Sequence, residues 1–569
     1  MTAKGHTPRK ATSSFQIDRA LATLRERAPV WAEIPLLDRI EHLETLLHRT
    51  AEVGPDLVAT AVAAKGGDSR FAGEDWVGGV AIQGRALRVL IDTLRDIERT
   101  GRVAIPAADV SVRSDGRVTI EVTPMDVWDR LLFPRLRGEI WLESGVGIDD
   151  LDANLGSFYT KGGTAQPGVA AVLGAGNVAS IAPLDAMHML FVEGKATIVK
   201  FNPINDYIGP IFERVFADLI DEGFVRVMYG GAEEGSYLAH HPMVDQVHLT
   251  GSVRTHDAIV FGPGEEGAAR KARNEPILTK PITSELGNVS PVIVVPGAWK
   301  ESDLRFQAEH LATQIKQNDG FNCNAAKVIV LHEGWDQKEA FLAALRTTLG
   351  SLPSRPAYYP GAVERWEAFA ASHADVEFIG PVGNGMVPAT LLVGLDPGAD
   401  HLAFSEESFC AVAATTELGG DDATEFLNRA VAFCNDRLQG NLNATILVDP
   451  ATLAAHSDAI DAAVDGLRYG SIGVNIWGGA SYALGTTVWG GHPGGTIADP
   501  KSGIGFVHNG RLVDRPLKSV VWAPFRQFPK PPWFVSHRNT NKAMRRFAEF
   551  ETAPGPMAMA RVGLAALRG

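Results

Sequence analysis

The most constraining stretch of the chain runs from Gly168 to Gly251, where short apolar runs alternate with helical patterns. Residues 169–173, 197–200 and 225–228 read as strands, with a helix after the first and another over residues 207–222. Strand, helix and strand in succession require a crossover connection, and that produces a parallel sheet with helices on its faces. A second set of strands follows at residues 292–295, 328–331 and 444–448. The predicted class is therefore α/β. A length of 569 residues suffices for several domains and a large core.

Around this centre the pattern changes. Ile17, Leu21, Leu24 and then Ile40, Leu43, Leu47 recur at helical spacing, so residues 1–110 are predicted to be a helical segment packing on the first unit. Residues 111–165 turn to alternation, with Val118-Thr119-Ile120-Glu121-Val122-Thr123 after a Ser114-Asp115-Gly116 turn, which predicts a hairpin. Residues 166–284 form the first α/β unit and 285–500 the second. The remainder, 501–569, is basic and aromatic: twelve Lys or Arg stand against Asp514, Glu549 and Glu551 in a chain whose net charge is −14. Its Trp522, Phe525, Phe528, Trp533 and Phe534 predict packing against the body or a neighbouring subunit rather than binding to nucleic acid or a membrane surface, for which no recognisable module is present.

Composition narrows the classes. With 45% hydrophobic and 21% charged residues the chain reads as soluble and globular. Its longest uncharged apolar stretch, residues 167–184, carries Gly168, Gly174, Gly176 and Pro183 and reads as strand and loop, so no transmembrane helix is predicted. The first fifteen residues lack the apolar run of a secretory signal. Cys323, Cys410 and Cys434 are too few and too scattered for a disulfide framework or a metal site, and a reducing cytoplasm fits them best. His188, His240, His241, His248 and His492 show no metal spacing, so no metal is predicted.

Cys323 nevertheless stands in a Gly- and Asn-rich turn, Gln317-Asn318-Asp319-Gly320-Phe321-Asn322-Cys323-Asn324-Ala325. Taken alone it could equally be a small buried residue or a reactive thiol. Glu285 precedes it by 38 residues in Thr283-Ser284-Glu285-Leu286-Gly287-Asn288. Together with Gly174-Ala175-Gly176-Asn177, Thr250-Gly251-Ser252 and Ser405-Glu406-Glu407-Ser408-Phe409, these segments resemble, in order and approximate spacing over residues 165–510, the aldehyde dehydrogenase superfamily. Val474-Asn475 and Lys501-Ser502-Gly503-Ile504-Gly505 resemble two later markers of the same family.

The resemblance implies a Rossmann-type cofactor domain, an α/β catalytic domain and a small β oligomerisation element in a homo-oligomer, dimer or tetramer. It implies NAD or NADP as cofactor. In these roles Cys323 is the nucleophile, Glu285 the base for a hydrolytic water and Asn177 an oxyanion donor. Lys200 matches the lysine that reaches the adenosine ribose. Gly231 and Gly235 match the adenine-side turn, while Gly174, Thr250, Gly251 and Ser252 match positions toward the pyrophosphate. Leu286 and Gly287 lie on the cofactor side of the E-L-G motif. Glu407 matches a ligand of the nicotinamide ribose, with Phe409 beside the ring. Pro203 replaces a glutamate that often favours NAD, and Cys410-Ala411 replaces the usual Gly-Pro, which marks a divergent branch. Trp477, Tyr482, Trp489 and His492 are candidate linings of a tunnel for an apolar or aromatic aldehyde. Two other activities stay open at this point: transfer of the acyl group to CoA, and nucleotide binding with little catalysis.

Overall fold

The computed structural model describes residues 6–160 and 167–569. It builds an α/β molecule around two sheets. The first has six strands in the order Gly503–Ile504, Ile282–Leu286, Gln246–Gly251, Val169–Leu173, Ala196–Phe201 and Val225–Tyr229. All pairings are parallel except that of Gly503–Ile504. Val169–Leu173 is buried along its whole length, as a central strand covered on both faces must be. Helix Ser14–Glu33 opens with Ser13 and Gln16 in a reciprocal capping box and buries Ile17, Leu21, Leu24, Ala28 and Trp31 along one stripe. That stripe joins the core under Val169, Ala171, Ala196 and Ile198, and Trp31 Nε1 donates to Leu190 O at 3.0 Å. Helix Ser14–Glu33 therefore covers part of the first sheet.

One predicted element is divided. Instead of a single helix over residues 207–222, helices Gly209–Val215 and Ala217–Asp221 follow a short turn, Asp206–Ile208. Pro210 lies in the first helical turn, where its missing N–H costs nothing, and the backbone leaves helical geometry at Phe216 (φ −93°, ψ 17°).

The second sheet has eleven strands, in the order Val110–Val112, Val118–Thr123, Arg137–Leu142, Pro516–Trp522, Ser471–Val474, Asn443–Leu447, Ser290–Val294, Ala326–His332, Val412–Leu418, Ala389–Leu395 and Val376–Ile379. Two divisions drawn from sequence shift here. Residues 501–569 are not an appendage, because Pro516–Trp522 is an interior strand, parallel to Ser471–Val474 and antiparallel to Arg137–Leu142. The hairpin strands of 111–165 continue that same sheet, with Val110–Val112 at its edge. The 284/285 division also moves, since Ile282–Leu286 carries Glu285 as part of the first sheet. The 165/166 division lies outside the described residues.

After its strand, the tail wraps back over the body. Phe525 joins the core beside Trp299, and His310 stacks on Phe534 with rings 5.5 Å apart. Helix Thr540–Thr552 is tied down through buried charges. Arg88 donates to Glu551 at 2.6 Å, and Arg85 forks onto Asp129 at 2.8 and 2.9 Å while also facing Glu551. Burial is affordable only because each charge meets its opposite.

Candidate active site

Cys323 follows a turn of unusual backbone. Asn318 (φ 53°), Asp319 (φ 53°) and Gly320 (φ 73°) occupy the left-handed region in succession. Gly320 must be glycine: a Cβ there would lie 2.5 Å from the carbonyl carbon of Cys410. Asn318 and Asp319 are held in place by charged and polar neighbours. The Asn318 N–H donates to Glu74 at 2.9 Å and Tyr358 donates to Asn318 Oδ1 at 2.9 Å. Arg355 donates to Asp319 at 2.7 Å and to Glu74 at 3.0 Å, and Lys316 closes on the other Asp319 oxygen. This ion cluster fixes a strained turn that would otherwise relax. It spans segments more than 240 residues apart in sequence, so spacing offered no sign of it.

Cys323, Glu285 and Asn177 line one cavity of about 550 Å³. The Cys323 thiol and Glu285 carboxyl interact directly. Burial, reinforced by Glu285, pushes the half-buried Cys323 thiol well above the usual thiol range. Burial likewise raises Glu285 to about 8, with Asp185 and Glu407 adding to it and the bond with Cys323 opposing it. Glu285 Oε1 has no protein partner. At neutral pH the pair rests as a neutral thiol beside a neutral carboxyl. Asn177 is buried, and its Nδ2 donates to Phe321 O at 3.1 Å, two residues before the thiol. That bond uses one amide hydrogen and leaves the other for an acceptor in the cavity.

Trp477, Tyr482 and Trp489 line the cavity too, as the aromatic run suggests. His492 does not, and its Nδ1 meets Pro493 O instead. The tail supplies lining that sequence reasoning missed: Phe528, Trp533, Met544, Phe547 and Met559 face the same space, opposite Phe133 and Leu136. Their only sequence signal was aromatic density without a motif. Among the described residues no group of His, Cys, Asp or Glu is placed to hold a metal.

The cofactor-side candidates divide. Glu407 lies against the E-L-G turn: a Cβ on Gly287 would sit 2.2 Å from Glu407 Oε2, so glycine is what admits the carboxyl. Its Oε1 is a buried acceptor without a protein partner, and burial, opposed by Lys327, raises it to about 7. Phe409 holds a left-handed backbone (φ 43°) and meets Tyr359 edge-on at 4.8 Å. The Lys200 stem lies over Gly235, 3.5 Å from where a Cβ would be, and burial lowers its amine to about 8 against Glu234 and Asp206. Gly231 caps helix Ala232–His240 and donates its N–H to Glu234 at 2.7 Å. Ser252 caps helix Val253–Val260 after Gly251, leaving that helix start presented to solvent.

Three further candidates are engaged within the fold. A Cβ on Gly174 would lie 2.8 Å from Ala182 Cβ, so its small size serves strand–helix packing. Thr250 gives its hydroxyl to buried Asp185 at 2.8 Å, within a cluster that includes His248 and His508. Leu286 is a core side chain whose N–H donates to Ser502 O at 2.8 Å.

Comparison with known proteins agrees with this architecture. Residues 164–367 match the aldehyde dehydrogenase family. A stretch of 141 residues is 30% identical to 4-trimethylaminobutyraldehyde dehydrogenase A of Danio rerio, covering 25% of each chain. Another of 182 residues is 28% identical to 4,4'-diaponeurosporen-aldehyde dehydrogenase of Staphylococcus aureus, covering 31% of this chain and 36% of that one. The chain thus aligns with well under half the length of these curated relatives. Solved structures align more widely: gamma-glutamyl-gamma-aminobutyraldehyde dehydrogenase of Burkholderia cenocepacia has a TM-score of 0.61 at 19% identity, over 91% of this chain and 90% of that one. An aldehyde dehydrogenase of Pseudomonas syringae in complex with NAD+ and octanal has a TM-score of 0.60 at 16% identity, over 91% and 90%. The fold is that of the aldehyde dehydrogenases, and the match to that family's model covers residues 164–367.

Proposed function

We propose that the protein oxidises an aldehyde to its carboxylic acid with NAD or NADP through covalent catalysis at Cys323. The observation that carries this reading is the convergence of thiol, raised carboxyl and amide donor on one cavity. The Cys323 thiol gives up its proton to solvent, and its Sγ adds to the aldehyde carbonyl carbon to give a thiohemiacetal. The negative charge moves to the carbonyl oxygen, where the free Asn177 N–H supports it. The nicotinamide cofactor, when bound, supplies the acceptor for the hydride that leaves this carbon. The product is a thioester on Cys323. Water then attacks the thioester carbonyl while the ionised form of Glu285 accepts its proton; the C–S bond breaks, releasing the acid, and Glu285 passes that proton to the leaving thiolate, restoring the thiol.

Glu407, with its unpartnered buried oxygen, fits a ribose hydroxyl, and Lys200 with the capped start of Val253–Val260 fits the adenosine and phosphate end. Glu285 beside the thiol supports hydrolysis over transfer of the acyl group to CoA. The cavity's aromatic walls favour an apolar or aromatic substrate.

The test is reduced-cofactor formation across aliphatic and aromatic aldehydes with each cofactor. Wild type should turn over, Cys323→Ala should show nothing, and Glu285→Gln should give a single-turnover burst without steady-state rate. Wild-type inactivity with every aldehyde, or acyl transfer to CoA faster than hydrolysis, would overturn the reading.

A further inference from the structure

The cavity that holds Cys323 reaches the surface among apolar side chains of unusual exposure. Leu131 (62% exposed) and Phe528 (86%) both line it. Beside them lies helix Pro556–Ala566, which packs against Val127–Leu132 and contributes Met559, Val562, Gly563 and Ala566 to the same cavity. This helix is apolar on two faces. Val562, Ala565 and Ala566 are buried, whereas Met557 (69%) and Leu564 (59%), with Leu567 (60%) just past its end, form an exposed stripe at helical spacing. Exposed Ala560, Arg561 and Arg568 complete the stripe. A helix buried on one side needs no apolar residues on the other, and an exposed apolar stripe of this kind marks a surface that is covered in use.

The charges around it select the cover. Arg561 and Arg568 on the stripe, exposed Arg130 in the neighbouring helix Val127–Leu132 and exposed Arg135 in the loop after it form no salt bridge among the described residues. A second copy of the chain in a two-fold contact would set these arginines against one another, and it would seal the cavity mouth. An anionic lipid surface satisfies both features, taking apolar side chains into the acyl boundary and arginines among the phosphates. Among the described residues no helix is long and apolar enough to cross a membrane, so the contact is peripheral.

We infer that this face docks on an anionic bilayer and that the cavity draws apolar aldehydes of the acyl-chain type directly from it. The substrate part of this inference rests on the function proposed above; the docking part does not.

The test is flotation of the full-length protein with phosphatidylcholine vesicles, with and without phosphatidylglycerol. Wild type should bind the anionic vesicles and lose binding in high salt. Met557→Ser/Leu564→Ser/Leu567→Ser, and separately Arg561→Glu/Arg568→Glu, should weaken binding at least tenfold. Neither variant touches the cavity lining, so turnover of soluble propanal should be unchanged, while kcat/KM for dodecanal supplied in vesicles should fall about tenfold. No wild-type binding to either vesicle would overturn the proposal. So would a dimer, read by sedimentation, that the serine variant dissociates without any effect on vesicles. Vesicle binding without turnover of any aldehyde would sink the dehydrogenase reading and leave the docking surface standing.

Discussion

Glu285→Gln should make the protein more stable while abolishing its turnover. In the fold burial holds the Glu285 carboxyl at about 8 against an ordinary value of 4.5. The folded state therefore binds this proton more tightly than the unfolded chain does. Stability from this group is fully present below pH 4.5, is lost progressively as pH rises to about 8, and is constant beyond. At pH 7 the unfolded carboxyl is ionised across roughly 2.5 pH units over which the folded one is not, and at about 1.4 kcal/mol per unit this costs ~3 kcal/mol. Glutamine keeps the shape and cannot ionise, so it removes that cost. For a chain of this size ~3 kcal/mol corresponds to about 2–3 °C in apparent Tm. The assay is a thermal scan of wild type and Glu285→Gln at pH 4.5, 7 and 9: the curves should nearly coincide at the lowest pH and separate, variant above wild type, as pH rises. A variant less stable than wild type at pH 7, or a gap that does not widen with pH, would refute a carboxyl held protonated by burial.

Gly320→Ala should push the turn against the Cys410 carbonyl while forcing a side chain into left-handed backbone, at a cost of about 1–3 kcal/mol. Alkylation of Cys323 by iodoacetamide should change in rate and turnover should fall more than tenfold; unchanged kinetics would mean that the turn does not set the thiol. Arg85→Met leaves Asp129 and Glu551 buried without their main cation, which should destabilise by about 3–5 kcal/mol in a denaturant titration. A loss under 1 kcal/mol would show that Arg88 alone carries the cluster.

Local chemistry made part of this molecule legible in its sequence. The apolar runs at 169–173 and 197–200 form parallel strands because their neighbours in sequence already specify the crossovers. The alternation at 118–123 forms a hairpin strand for the same local reason. Cys323, Glu285 and Asn177 were singled out because their segments, in order and spacing, resemble those of the aldehyde dehydrogenases, and the fold brings them to one cavity. Glycines misled where small size alone was visible: nothing local distinguishes Gly174, which admits Ala182, from Gly287, which admits Glu407.

The tertiary structure decided what depends on partners distant along the chain. Pro516–Trp522 has the alternation of any strand, but its place between the hairpin and the catalytic strands follows from long-range pairing. The clamp of Glu74, Arg355 and Asp319 on the turn before Cys323, and the tail's closure over the cavity, join side chains hundreds of residues apart. Sequence determined the strands and the crossovers, because periodicity acts within a few positions. Only folding set the proton affinity of Glu285, the strain of the turn and the shape of the cavity, since burial and ion pairing arise when remote segments exclude water from a common space.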